Sequence, residues 1–194
     1  MQSGRTANNK PFHDAQMIIN LKDAYIFIME NKITDITAAD IKNLHKLAMQ
    51  NLLPENQIGF VRKIPVRIGG SDYLPSTDTI LLEDSLMSIV ANSKKYDNTF
   101  EKSIYFHNNL AYLQYFTDGN KMLSRIIQTA SMVWNNKMPL YYLDESINDY
   151  KKSLISYYES GDYSEYKDFF INNYEKSLEK TVKFLKKREK GIPS

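Results

Sequence analysis

The feature that most limits what this chain can fold into is the spacing of its apolar residues, which recur every three or four positions along most of the sequence. That period is typical of α-helices that bury one face. Only 7 glycines and 6 prolines interrupt the 194 residues, so the helices are expected to be long. The pattern predicts an all-α fold of about seven helices.

Residues that favour helix ends divide the chain into these helices. Thr37 and Asp40 have the spacing of a capping box, which places a helix start at residue 37. Thr77 or Asp78, and further on Asp97, are predicted to cap the N-termini of two later helices. The other predicted boundaries are the Asp118-Gly119 break, Pro139 and the C-cap glycine Gly161.

One segment breaks the helical period. Residues 58–70 are rich in β-branched types and alternate around Val66–Ile68, which predicts an isolated β-hairpin. Pro65 and Pro75 exclude this segment from the middle of a sheet. Because a lone hairpin is marginal in water, we expect it to pack on the helices.

The composition excludes several classes of protein. Hydrophobic residues make up 42% and charged residues 25% of the chain, which suits a packed core, and the length fits one domain over residues 1–194. A net charge of only +2 argues against a nucleic-acid partner. The absence of cysteine excludes disulfides, thiolate metal ligands and a cysteine nucleophile, and it suits a reducing cytoplasm.

Neither a membrane span nor a cleavable signal is expected from the hydropathy pattern. The most apolar stretch, residues 17–29, is broken by Lys22 and Asp23. The far end, residues 176–194, is basic, with seven Lys or Arg against two acidic residues among residues 176–190. We interpret it as a solvated helix end and tail, with attraction to nucleic acid or lipid as the alternative.

The break before the fifth predicted helix carries polar residues suited to phosphate. N–H groups at a helix N-terminus attract anions, and Gly119 lets an anion approach the backbone closely. Asp118 is placed to hold Mg²⁺, which takes one or two carboxylates together with phosphate oxygens. Lys121 and Arg125, four residues apart on one helix face, add positive charge. The alternative is an ordinary helix start with an Asp cap and solvated basic side chains.

These residues resemble the signature of the Fic/DOC family, His-Pro-Phe-x-Asp-Gly-Asn-Gly-Arg-x-x-Arg. The matching positions are Phe116, Asp118, Gly119, Asn120 and Arg125. Lys121, the residue after the motif Asn, resembles the lysine that Doc-like members carry there. Residues 58–75 resemble the family's flap. The resemblance as a whole covers residues 10–175. It implies a Fic-type helical domain in which the predicted hairpin is the flap.

The resemblance implies transfer of AMP from ATP, with Mg²⁺, to a Ser, Thr or Tyr hydroxyl of a target protein. The metal would lie on Asp118, and the phosphates on Gly119, Asn120, Lys121 and Arg125. The flap would align the target as an added strand through Arg62, Val66, Arg67, Ile68 and Gly69. An antitoxin-like inhibitory protein is a further implied partner. The implied location is the bacterial cytoplasm, or a host cell that receives the protein by delivery.

The chain departs from the family pattern at the catalytic base, where Gln114 stands in the place of His. A carboxamide does not accept a proton near neutral pH, and a general base is worth about 10²–10⁴ in rate. Met122 also replaces one phosphate-facing Arg. We therefore expect nucleotide binding with weak or absent transfer. Two alternatives stay open: a non-enzymatic module that docks proteins on the flap, and a Doc-like phosphotransferase, which Lys121 favours.

Three histidines and one alanine complete the candidates. His107 is expected to be partly buried and not catalytic, because two helical turns place it about 10 Å from Gln114. His13 and His45 have no second ligand at metal-binding spacing and are expected to be structural residues or to lie on the surface. The resemblance places Ala7 where relatives carry an inhibitory Glu. The absence of that Glu would leave the nucleotide site open.

Overall fold

The computed structural model describes residues 12–189, and within that range it contains seven α-helices and no β-strand. The all-α prediction is therefore confirmed. The helices are α1 (Phe12–Glu30), α2 (Ala38–Met49), α3 (Thr79–Ser93), α4 (Thr99–Leu113), α5 (Asn120–Val133), α6 (Ile147–Ser160) and α7 (Ser164–Glu189). Two short 3₁₀ helices, Glu55–Gln57 and Asp144–Ser146, lie in the connections.

Polar side chains begin three of the helices much as the sequence predicts. Thr37 and Asp40 form the reciprocal capping box of α2, and Asp78 caps α3 by accepting from two backbone N–H groups. The cap of α4 is Asn98 and not Asp97, as its Oδ1 accepts from two N–H groups of the first turn. Either residue type serves as an N-cap, so the sequence alone leaves a one-residue ambiguity there.

The predicted β-hairpin does not form. Residues 58–75, called here the flap segment, contain turns and extended backbone but no strand. The guanidinium of Arg62 explains part of this, since it donates to the carbonyl oxygens of Ile64, at 2.9 Å, and Ser76. Pro65 and Pro75 also lack the N–H that a ladder needs. The carbonyl of Ile64 is thus satisfied by a buried side chain and not by a neighbouring strand.

The first of two compact units comprises residues 12–67 and 74–138 of the described chain and contains α1 to α5. Its core lies largely between α4 and α5, which pack on each other. The fully buried side chains there include Phe106, Leu123, Ile126 and Ile127. The indole Nε1 of Trp134 donates to the carbonyl of Ile28 at 2.8 Å and so ties the end of α5 to α1.

The second compact unit comprises residues 68–73 and 139–189 and contains α6 and α7. Aromatic side chains form its core, with Tyr150, Tyr166 and Phe169 buried against one another. Gly161 ends α6 in the left-handed conformation, with φ 73°, as predicted. The assignment of residues 1–194 to a single domain stays a prediction. None of the described helices is both long and apolar enough to cross a membrane.

Candidate phosphate-binding site

Gln114, which the sequence resemblance predicts to stand in the place of a catalytic base, ends α4 in a left-handed conformation with φ 48° and ψ 49°. The residue is only 8% exposed, and both the nitrogen and the oxygen of its side-chain amide make hydrogen bonds. Nε2 donates to the carbonyl of Ala111 at 2.7 Å, and Oε1 accepts from Asn120 Nδ2 at 3.3 Å. The carboxamide is thus part of the local structure.

Residues 116–120, called here the 116–120 turn, are closed by the side chain of Asn120. Its Oδ1 accepts from the N–H of Phe116 at 2.9 Å, and its Nδ2 donates to the carbonyl of Phe116 at 2.7 Å. Gly119 has φ 77°, in the left-handed region that favours glycine. The predicted phosphate ligand Asn120 therefore contributes by shaping the turn, because its side chain is buried and engaged.

The N-terminus of α5 lacks a side-chain cap. Gly119 precedes the helix and supplies no side-chain cap, whereas Asp78 and Asn98 cap α3 and α4. The N–H groups of the first turn of α5 therefore receive no acceptor from a capping side chain. They carry the positive end of the helix dipole, which favours a bound phosphate.

Charged side chains surround this helix start. Lys121 is exposed in the first turn of α5, and Arg125 is half-buried one turn later. Asp118 is exposed, and its Oδ1 accepts from the N–H of Gly119 at 2.6 Å. Residues 118–121 and Arg125 are thus brought together as the sequence predicts, by one turn and one helix.

Asp118 is the carboxylate that the 116–120 turn offers to a metal. Among residues 12–189, no three His, Asp or Glu side chains cluster closely enough to hold an ion. Asp118 alone fits Mg²⁺ only where phosphate oxygens and waters complete the coordination, which is the usual manner of Mg²⁺ at nucleotide sites.

His45 is a residue of this site that sequence reasoning set aside. It lies on α2 with 0% exposure, and its ring stacks on that of Phe116 with centroids 3.7 Å apart. Nδ1 accepts from the N–H of Gly59 at 2.9 Å, and Nε2 lies 3.1 Å from the carbonyl oxygen of Asp118. Burial lowers the pKa of His45 to about 4, against the opposing hydrogen bond and charge of Asp118.

A signal for His45 was present in the sequence. It follows Ile41 by four positions and precedes Ala48 by three, so it falls on the apolar face of α2 with them. A histidine on such a face is buried, and a buried imidazole requires hydrogen-bond partners. The helical wheel therefore indicated burial, although it did not indicate the partners.

His107 is more deeply buried than predicted, with no exposed surface. Burial lowers its pKa to about 3, and the positive charge of Arg125 acts in the same direction. An imidazole of such low pKa is neutral at physiological pH. Its enclosed position agrees with a structural role.

The five residues predicted to dock a target on the flap segment differ in exposure. Arg67 and Gly69 are exposed, Val66 is half-buried, and Ile68 is buried. Arg62 is 1% exposed, and its Nε donates to the carbonyl of Gln114 at 2.6 Å. Its backbone N–H donates to the carbonyl of Tyr115 at 3.0 Å. Arg62 therefore supports the site from within and is not placed to touch a partner.

An open groove adjoins the 116–120 turn on the first compact unit, with a volume of about 570 Å³. Phe60 and Ile64 lie along it with 57% and 53% of their surface exposed. Its lining residues are Asn56, Gln57, Phe60, Val61, Lys63, Ile64 and Thr117. Ala7, the candidate inhibitory position, lies outside the described residues.

Comparisons with known proteins bear on the family and the fold of the chain. A model of the Fic/DOC family matches residues 35–131, which is half of the chain. A search of curated protein sequences finds no match.

Solved structures of Fic proteins have a similar fold. Fic-1 (aa134–508) from C. elegans superposes with a TM-score of 0.81 at 20% identity, covering 96% of this chain and 56% of Fic-1, so the chain spans little more than half of that relative. The BepC effector of Bartonella tribocorum, with bound AMPPNP, has a TM-score of 0.63 at 14% identity, covering 83% of this chain and 85% of BepC. An N-terminal Fic domain of a Bartonella quintana cell filamentation protein, with bound ADP, has a TM-score of 0.63 at 13% identity, covering 87% of this chain and 88% of that domain.

Proposed function

The chain belongs to the Fic/DOC family, and from that premise we propose that it binds ATP with Mg²⁺ at the start of α5 and transfers AMP to a protein hydroxyl weakly or not at all. The phosphates would lie on the N–H groups that follow Gly119, with Lys121 and Arg125 beside them. Mg²⁺ would lie on Asp118, where it would neutralise phosphate charge. The AMPPNP of BepC and the ADP of the Bartonella quintana domain support a nucleotide as the ligand.

The observation that carries the second half of the proposal is the engaged side chain of Gln114. Its Nε2 donates to Ala111 and its Oε1 accepts from Asn120. A carboxamide has no basic site near neutral pH. Both the nitrogen and the oxygen of the Gln114 carboxamide make hydrogen bonds within the fold. No proton of a target hydroxyl would therefore be taken up at position 114.

Calorimetry of ATP with Mg²⁺ on the purified chain tests nucleotide binding. We expect saturable binding that weakens about tenfold or more in Lys121→Ala and Arg125→Ala, since each removes a charge beside the phosphates. Asp118→Asn should weaken binding in the presence of Mg²⁺ and have little effect in EDTA. Binding absent up to millimolar ATP would contradict the proposal.

Matched controls lie at the other end of α4. Lys95 and Asp97 are exposed just before that helix, and its 15 residues span about 22 Å. Lys95→Ala and Asp97→Asn change the net charge by the same amounts as the site variants do. Equal weakening in site and control variants would indicate general electrostatics and would contradict a specific site.

The groove beside the flap segment favours a second candidate function, docking of a protein segment without chemistry. Exposed Phe60 and Ile64 offer apolar contact there, and Arg67 and Gly69 are accessible nearby in the sequence. Selection from a phage-displayed library of random peptides tests it. We expect enriched peptides to lose binding to Phe60→Asp and keep it on Ile80→Asp, which alters an exposed isoleucine of α3. Equal binding to both variants would contradict docking in the groove.

A further inference from the structure

His45 makes two hydrogen bonds of opposite sense with one ring. The N–H of Gly59 is a donor, so Nδ1 must be the acceptor of the 2.9 Å bond. The carbonyl oxygen of Asp118 only accepts, so Nε2 must carry the proton across 3.1 Å. The partners therefore select one tautomer, the neutral imidazole protonated on Nε2.

The ring has little freedom to move. It has no exposed surface, and it lies parallel to the ring of Phe116, with 7° between the two planes. One turn further along α2, Met49 is also placed against the turn: a Cβ added at Gly119 would lie 2.6 Å from its Sδ. His45 and Met49, four residues apart on one face of the helix, together form a support for the 116–120 turn.

The two partners of His45 belong to different parts of the proposed site. Asp118 precedes Gly119, whose carbonyl begins α5 by accepting from Leu123 N–H. Gly59 lies at the start of the flap segment, in the left-handed conformation with φ 80°. A shift of either backbone group would break its bond to the imidazole and leave a buried polar atom unpaired, which is unfavourable.

We propose that His45 is a positioning residue that holds the start of the flap segment and the 116–120 turn in register, through one hydrogen bond to each. The proposal rests on the proposed function where it concerns nucleotide affinity. The hydrogen bonds themselves can be tested without a nucleotide. His45 contacts neither substrate nor metal in this role.

Two variants separate the two bonds. In His45→Asn, the amide oxygen takes the place of Nδ1 and keeps the acceptor for Gly59, while the bond to Asp118 is lost. In His45→Gln, the longer amide places a donor near the former Nε2, so the bond to Asp118 is kept and that to Gly59 is lost. His13→Asn, at an exposed histidine of α1, is the control.

The measurements are the affinity for Mg-ATP and the hydrogen exchange of the Gly59 amide. We expect His45→Asn to weaken affinity about tenfold with slow exchange at Gly59, and His45→Gln to weaken it about threefold or less with faster exchange there. If His45 only stabilised the fold, each variant would change the Mg-ATP affinity and the Gly59 exchange rate in proportion to its loss in Tm. That result would overturn the proposal.

The tautomer provides a test that needs no variant. NMR of the wild-type imidazole should find the proton on Nε2, and a proton on Nδ1 would overturn the proposal. If the wild-type chain binds no Mg-ATP, the proposed function fails, whereas the exchange and tautomer measurements still decide the role of His45. If it binds Mg-ATP and both His45 variants bind equally well, only the positioning role fails.

Discussion

The Nε of Arg62 donates a hydrogen bond to the backbone carbonyl of Gln114 at 2.6 Å, joining two residues that lie 52 positions apart. The acceptor belongs to a residue in the left-handed conformation, which costs a non-glycine residue about 1–2 kcal/mol. A fully buried guanidinium thus stabilises the backbone at the point where α4 ends and the 116–120 turn begins. A residue of the flap segment therefore holds the backbone at Gln114.

Replacing Arg62 should destabilise the whole first unit. We expect Arg62→Met to lower the free energy of unfolding by about 3 kcal/mol, because the carbonyls of Gln114, Ile64 and Ser76 lose a charged donor inside the protein. Arg62→Lys should recover only part of this, as an ammonium lacks the planar fork. Urea unfolding measures both. The control is Arg67→Met, at an exposed arginine, with an expected change within about 0.5 kcal/mol; equal effects at the two positions would contradict the assignment.

Restoring histidine at position 114 should raise transfer. We expect Gln114→His to increase labelling of protein by about 10²-fold or more, the usual contribution of a general base, and Gln114→Ala to label as weakly as the wild type. ATP labelled in the α or the γ phosphate distinguishes AMP transfer from the phosphotransfer that Lys121 favours. Wild-type labelling as fast as that of Gln114→His, and abolished in Gln114→Ala, would show that Gln114 itself supports transfer.

The left-handed glycine of the 116–120 turn should not tolerate a side chain. Gly119→Ala combines the backbone strain of φ 77° with a contact of 2.6 Å to Met49 Sδ, and we expect a loss of about 2 kcal/mol or more in stability. Gly161→Ala has a similar φ of 73° and no atom within 4 Å of the new Cβ, so it measures strain alone, about 1 kcal/mol. Thermal unfolding compares them. Equal losses would show that contact with Met49 contributes nothing.

Stability should fall as the solution becomes mildly acidic. Burial lowers the pKa of His45 to about 4 and that of His107 to about 3, from 6.5. The unfolded chain therefore binds more protons below pH 6.5, so the stabilisation is complete above pH 6.5 and is lost as pH falls from 6.5 toward 4. Each histidine should contribute a slope of about 1 kcal/mol per pH unit between pH 6 and 5.

Urea unfolding at pH 7, 6 and 5 measures that slope. His45→Phe keeps an aromatic ring against Phe116, and His107→Leu keeps an apolar side chain in the core, so both are suited to the comparison. Each should reduce the slope by about half relative to the wild type. An unchanged slope in both variants would mean that other groups bind the protons.

The sequence by itself determined the helices, and it groups the predicted site residues at one helix start. The apolar period and the caps at Thr37 and Asp78 are local features, and each depends on residues a few positions apart. The grouping of residues 118–121 with Arg125 is local too, because one turn and one helix carry all of them. The helix and cap predictions succeeded because the interactions that decide them are short in sequence.

The tertiary structure decided what supports the site. His45 reaches Asp118 across 73 positions and Arg62 reaches Gln114 across 52, and no periodicity in the sequence reports such pairs. The hairpin prediction failed for the same reason, since strand propensity is overridden by tertiary contacts, here the hydrogen bonds from the buried Arg62 side chain to the carbonyls of Ile64 and Ser76. Buried polar groups must find partners wherever the fold brings them, so the roles of His45 and Arg62 exist only in the folded chain.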